Sequence, residues 1–106
     1  MTIDEDNDPN DLIGRQGGYT SAAVIFDSGA ECSTLGAECG ATIEVFATAA
    51  DAQARYDYID GIRDQSPILA KTTDTLAGSA LLRVANAVKL SVGTQYSAAF
   101  EAAART

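Results

Sequence analysis

The sequence predicts an α+β domain: a two-layer sandwich of ββαββα order, with a four-stranded, mainly antiparallel sheet and two helices on one face. Two observations on periodicity carry this. Strand-like segments at Thr20 to Asp27 and Ala41 to Ala47 precede a helical stripe at Ala52, Tyr56, Ile59 and Ile62. A second pair, Thr73 to Ala77 and Ala80 to Val88, precedes another stripe at Val92, Tyr96, Ala99, Phe100 and Ala103. A third observation is that the breaks between segments fall on residues that turn or cap a chain.

Taken in order, Thr20-Ser21-Ala22-Ala23-Val24-Ile25-Phe26-Asp27 is β-branched and aromatic enough for a strand, with Val24 and Phe26 on one face. Ala41 to Ala47 alternates, placing Ile43, Val45 and Ala47 on one side and Glu44 and Phe46 on the other. Thr48-Ala49-Ala50-Asp51 is a capping box, in which side-chain oxygens satisfy free N–H groups at a helix start. Gly61 weakens the last turns of that helix, and Ser66-Pro67 stops it. Gly78-Ser79 turns the chain between the next two strands, and Ser91 caps the final helix.

A length of 106 residues with 46% hydrophobic content bounds the chain to one domain and one core. Residues 1–11, Met-Thr-Ile-Asp-Glu-Asp-Asn-Asp-Pro-Asn-Asp, read as an acidic flexible tail, and residues 12–106 as the α+β domain. Fifteen acidic residues against seven basic give a net charge of −8, and there is no histidine. Nucleic acid and anionic membrane surfaces are excluded as partners, because both need clustered Lys and Arg. No apolar run is long enough to insert into a membrane, and the N-terminus lacks the basic-then-apolar order of an export signal. Two readings fit that N-terminus: an intact cytosolic protein, or a start methionine standing in place of a removed export signal or anchor.

Cys32 and Cys39 frame a short loop, Cys-Ser-Thr-Leu-Gly-Ala-Glu-Cys. Two sulfurs without histidine are too few for structural zinc, and the spacing is too long for a Cys-x-x-Cys redox pair. The expectation is a disulfide, which would place the domain in an oxidising, extracytoplasmic compartment, with a pair of unlinked buried thiols as the alternative.

Asp4, Asp6 and Asp8 alternate like the first calcium ligands of an EF-hand, but Pro9 stands where that loop turns on glycine and Arg15 where it needs glutamate. No metal and no cofactor is implied. Val24-Ile25-Phe26-Asp27-Ser28-Gly29-Ala30 resembles the active-site turn of retroviral-type aspartic proteases. A dimeric aspartic hydrolase using Asp27 is therefore the alternative function. That family is nearly all β, and its hydrophobic pair before Gly-Arg lies near the C-terminus, whereas Leu12-Ile13-Gly14-Arg15 precedes Asp27 here. Without histidine there is no Ser-His or Cys-His pair either, so no catalytic constellation is identified.

If Ile43, Val45, Leu82 and Val84 face the helices, then Glu44, Phe46, Leu81 and Arg83 project from an open sheet face. Glu44 and Arg83 form a cross-strand ion pair on that reading, beside an apolar patch of Phe46 and Leu81. This is the expected partner-binding face. Its occupant would be a protein or cell-envelope partner, or a second copy of the chain, and the domain a non-enzymatic interaction or accessory domain.

Asp8-Pro9-Asn10, Leu12-Ile13-Gly14-Arg15, Tyr19-Thr20, Cys32, Cys39-Gly40, Glu44-Val45-Phe46, Ala52, Tyr58-Ile59, Ser66-Pro67 and Leu81-Leu82-Arg83-Val84 together resemble small domains in uncharacterised actinobacterial secreted proteins and lipoproteins. The resemblance runs from about Asp8 to Phe100. It implies an extracytoplasmic location, with an export signal or membrane anchor upstream, and adds no functional residue.

Overall fold

Strand pairing brings the two ββα halves together along their second strands. The computed structural model describes residues 1–30, 32, 35–65 and 72–104, without the side chains of residues 63–65. Its elements are β1 (Ser21–Phe26), β2 (Gly40–Val45), α1 (Ala49–Gln65), β3 (Thr72–Ala77), β4 (Ala80–Ala85) and α2 (Leu90–Ala104), with a 3₁₀ turn at Ala37–Cys39. The sheet order is β1-β2-β4-β3, and every neighbouring pair is antiparallel. The α+β class, the ββαββα order and the four-stranded antiparallel sheet are those the sequence predicts.

The layering differs from the expected one. Register aligns Ala23, Ile25, Ala41, Ile43, Leu82 and Val84 on one face, and Ala22, Val24, Thr42, Glu44, Leu81 and Arg83 on the other. Ile25, Ala41, Ile43, Leu82 and Val84 of the first set pack with Val92, Tyr96 and Phe100 of α2. Members of the second, Ala22, Val24 and Leu81, pack with Ala52, Tyr56 and Ile59 of α1, together with Ile3, Leu12, Ile13 and Tyr19 from the lead-in. The helices thus divide between the two faces instead of sharing one. The physical reason is β4, whose Leu81 and Leu82 point to opposite sides and are both buried. A strand apolar at both parities needs cover on both faces.

Residues 1–11 also depart from the expected flexible tail. Thr2 bridges Ala23 in an antiparallel sense, Ile3 N–H donates to the Ala22 carbonyl at 2.8 Å, and Val24 N–H donates to the Met1 carbonyl at 2.8 Å. Ile3 is buried in the α1-side core. The acidic residues that make this segment look solvated serve its turns. Asp4 Oδ1 accepts from the backbone N–H of Asp6 and Asn7, and Asp8 Oδ2 accepts from those of Leu12 and Ile13.

Local chemistry fixes the connections. The Thr48 hydroxyl accepts from Asp51 N–H at 3.1 Å, as the capping residue expected for α1. The stop expected at Ser66-Pro67 lies outside the described residues. Gly78, with φ of 58°, opens the two-residue link between β3 and β4, a position where glycine adopts positive φ at no steric cost. β4 ends at Ala85, earlier than expected, because Val88 N–H turns back onto the Ala85 carbonyl. α2 begins at Leu90 rather than after Ser91, with the Lys89 carbonyl accepting from Val92 and Gly93 N–H.

The Cys32–Cys39 disulfide is present. It ties the loop after β1 to the 3₁₀ turn that leads into β2, with Cys39 buried in the α1-side core. Gly40 follows directly, and a side chain there would collide with the backbone of Ile25 and Asp27.

Candidate binding site

Of the four residues expected on an open face, Glu44, Phe46 and Leu81 are covered by the chain itself, and Arg83 is half-buried. Glu44 and Leu81 are both 0% exposed and Phe46 is 3% exposed. The Phe46 ring meets Tyr19 edge to face at 6.0 Å between centroids, so the lead-in closes this side. Phe46 and Leu81 are core residues, and that partner-binding face does not exist as a free surface.

The charged pair on the same face gains importance from its surroundings. Glu44 and Arg83 do meet, at 3.7 Å between Oε2 and Nη1. Two residues that sequence reasoning left out complete the cluster. Arg55 of α1 donates from Nε to Glu44 Oε1 at 3.2 Å. Asp74, opposite Arg83 across β3 and β4, sits 3.9 Å from Arg83 Nε and accepts from the Thr72 hydroxyl. The carboxylates are the deeper members: the side chains of Glu44 and Asp74 are 0% and 1% exposed, those of Arg55 and Arg83 12% and 18%. The acids form a back layer, and the guanidiniums stand in front of them.

In front of the guanidiniums is a cleft of about 780 Å³, open to solvent. Arg55 and Arg83 line it, with apolar wall from Leu12, Leu35, Ile59 and Ile62. Gly36, Ala37 and Glu38 of the disulfide loop close another side. The cysteine clasp is therefore part of a cleft wall as well as a cross-link. Such a volume lies within the range of small-molecule sites, which combine apolar lining with a few convergent polar groups.

The cluster leaves hydrogen-bonding capacity unused. Arg55 makes its one protein hydrogen bond through Nε, so its two Nη groups have no partner among the described residues. Among the described residues, Arg83 Nε, Glu44 Oε2 and Thr42 Oγ1 are buried without a hydrogen bond, and the contacts of Arg83 to Glu44 and Asp74 are longer than hydrogen bonds.

Asp8 anchors the lead-in beside this cleft. It accepts from the Tyr19 hydroxyl, to which Asn10 also donates at 3.3 Å. Burial pushes the Asp8 carboxyl up, but the hydrogen bonds from Tyr19 and the backbone N–H groups of Ile13, Asn10 and Leu12 together outweigh it and hold it below 3.8. Burial first, and then donation to Asp8, raise the Tyr19 hydroxyl well above its ordinary range. Asp4 and Asp8, read against an EF-hand in the sequence, are thus occupied by their own chain.

Asp27 is occupied too. Its Oδ1 accepts from Gly29 N–H at 2.8 Å and its Oδ2 from the Tyr96 hydroxyl at 2.7 Å, tying the end of β1 to α2. The Tyr96 bond, followed by that from Gly29, holds the carboxyl below 3.8. Beyond it, on the α2 side, Ile25, Ile43, Leu82, Tyr96, Ala99 and Phe100 line a shallower apolar groove of about 380 Å³.

No protein-family model, curated protein or solved structure matches this chain.

The signal for Arg55 was present in the sequence. It falls at i+3 from Ala52 and i−4 from Ile59, inside the apolar stripe of α1. A lone cation within a buried stripe points to a buried counter-charge, and Glu44, on the one alternating strand that places a carboxylate between apolar neighbours, supplies it.

Proposed function

We propose that this chain is a non-enzymatic, extracytoplasmic binding domain that takes its ligand in the cleft between α1, the lead-in and the disulfide loop. The observation that carries this reading is the pair of guanidiniums in the cleft wall, held from behind by buried carboxylates and keeping N–H donors without an acceptor among the described residues. Side chains locked by packing and ion pairs are pre-organised for a ligand, which lowers the ordering cost of binding. The Cys32–Cys39 disulfide supports the location, since such cross-links persist in oxidising compartments. The resemblance of Cys32, Cys39-Gly40, Tyr58-Ile59 and Leu81-Leu82-Arg83-Val84 to secreted and lipoprotein domains supports it as well. A cell-envelope molecule or protein is the partner class.

The test is an amide-resolved NMR titration of the disulfide-bonded protein with a small library of polar and charged fragments. Shifts should concentrate on Gly36, Ala54, Arg55 and Ile59. A library whose hits shift only the α2 groove around Tyr96 and Phe100, or that shifts nothing, overturns the reading.

A further inference from the structure

We propose that the cleft selects a single carboxylate carried on an apolar body, received by the Arg55 and Arg83 guanidiniums. The inference rests on the cleft being the binding site and names the ligand chemistry it takes.

Three features of the site lead there. The first is donor geometry. Arg55 is held through Nε to Glu44, which leaves the Nη edge of its planar fork for a second acceptor. A carboxylate matches that fork with two parallel N–H···O bonds. Arg83 stands in the same wall with contacts to Glu44 and Asp74 of 3.7 and 3.9 Å, so it too has N–H groups without an acceptor at hydrogen-bond distance among the described residues.

The second is charge. Glu44 and Asp74 offset the two arginines, and Glu38 also lines the cleft. The chain as a whole carries −8. Such surroundings tolerate one negative charge fixed directly on guanidinium N–H groups, but they repel a dianion, whose second charge would find no cation besides Arg55 and Arg83 among the described residues of the cleft wall. Phosphate monoesters are thereby disfavoured against monocarboxylates.

The third is the rest of the lining. Leu12, Leu35, Ile59 and Ile62 surround the arginines with apolar surface, and Tyr58, 63% exposed, stands at the mouth. A ligand with an aliphatic or aromatic body buries that surface while its carboxylate reaches the fork. Both a free organic acid and the C-terminal carboxylate of an apolar peptide present this chemistry.

The experiment titrates the disulfide-bonded protein by NMR with 4-methylpentanoate, 4-methylpentanamide, N-acetyl-leucyl-leucine, its C-terminal amide and inorganic phosphate. Each carboxylate should bind at least about tenfold more tightly than its amide, the loss expected when a charge-assisted hydrogen bond is replaced by a neutral one. Tighter binding by the dipeptide than by the short acid identifies a peptide terminus as the source, and the reverse identifies a free acid. Arg55→Gln should narrow the preference for carboxylate over amide several-fold, with Arg83 retaining part of it; an unchanged preference overturns the assignment of the carboxylate to Arg55. The amide comparison needs no substitution, so it stands even if that variant folds poorly. Equal binding of acid and amide in the cleft overturns the carboxylate assignment while leaving the binding site in place, as does tighter binding of phosphate. Absence of cleft shifts with every probe overturns the site itself.

Discussion

Each face of this sheet is covered by a helix, but by different chemistry and to different depths: on β1 and β2 the α1 side holds Ala22, Val24, Thr42 and Glu44 buried, whereas Ala23, Ile25 and Ile43 on the α2 side are half-buried. Under α2 the contacts are almost wholly apolar, with Ile43, Leu82, Val84 and Phe100 joined by a hydroxyl contact of 3.4 Å between Thr75 and Ser97. Under α1 the same pleat encloses Glu44 and Asp74, with Arg55 and Arg83 reaching from them to the cleft. Among the described residues, the apolar face has no buried side-chain polar atom without a hydrogen bond. The ionic face has several, because a buried carboxylate fixes a guanidinium without using all of its donors. Burial alone therefore marks neither face as functional; what distinguishes the α1 side is that its charges are braced on one side and open on the other.

This contrast breaks most sharply at Glu44. Glu44→Ala leaves Arg55 and Arg83 without their shared carboxylate and should cost about 3–5 kcal/mol, the range for removing one partner of a buried ion pair. Ile43→Val, the neighbouring position on the other face, should cost only about 0.5–1.5 kcal/mol. Urea unfolding measures both, and a Glu44→Ala cost below that of Ile43→Val would mean that the ionic face is solvated.

Next in size is the test that both faces are cores. Leu81→Ala and Leu82→Ala remove adjacent leucines from opposite faces, each 1% exposed or less, and each should cost about 2–5 kcal/mol. A Leu81→Ala cost near zero beside a full Leu82→Ala cost would restore an open sheet face on the α1 side.

The smallest effect sharpens the comparison through pH. Tyr96 ties α2 to Asp27, as Tyr19 ties the lead-in to Asp8 on the other side. The Asp27 carboxyl is held below 3.8 in the fold, so its contribution is present above that value and is lost as pH falls through the lower folded one. The Tyr96 hydroxyl is raised above 10.0, chiefly by donating to Asp27, so its contribution is present below 10.0 and is lost as pH rises through the higher folded value. Tyr96→Phe should therefore lower Tm slightly near neutrality and flatten both the acid and alkaline limbs of Tm against pH. The Asp8 part of the acid limb should remain. Unchanged limbs by circular dichroism would show that the Asp27 contact contributes nothing in solution.

Much of this fold was legible in the sequence because it depends on local chemistry. β-branched and alternating runs located all four strands, Thr48 and Gly78 marked a cap and a turn, and two cysteines framing a short loop without histidine pointed to their disulfide. What was not legible depends on which parity is buried. Period-two reasoning assigned Glu44 to solvent because it is charged, and Phe46 and Leu81 went with it to an open face. Leu81-Leu82 already carried the contrary signal, since consecutive leucines in a strand demand cover on both sides. The acidic lead-in was misread for a related reason: Asp4 and Asp8 bond backbone N–H groups nearby, a use of carboxylates that composition cannot distinguish from hydration. For the candidate site, Glu44 and Arg83 were paired from the sequence and Arg55 is signalled by its place in the apolar stripe of α1, whereas Asp74 required knowing that β3 pairs with β4 and sets it opposite Arg83.

The short bridge from Thr2 to Ala23 has a consequence for how this protein behaves in a crowd of its own copies. An outer strand presents a row of free N–H and C=O groups that templates pairing with another chain, the route by which sheets grow into aggregates. Met1 and Ile3 occupy that row along β1, bonding Val24 and Ala22. Loss of the first three residues would bare a strand reading Ser-Ala-Ala-Val-Ile-Phe, which has no charge of its own to discourage stacking. The acidic N-terminal segment thus acts as a guard against fibril-like growth, blocking the edge with its backbone while its carboxylates keep neighbouring molecules apart.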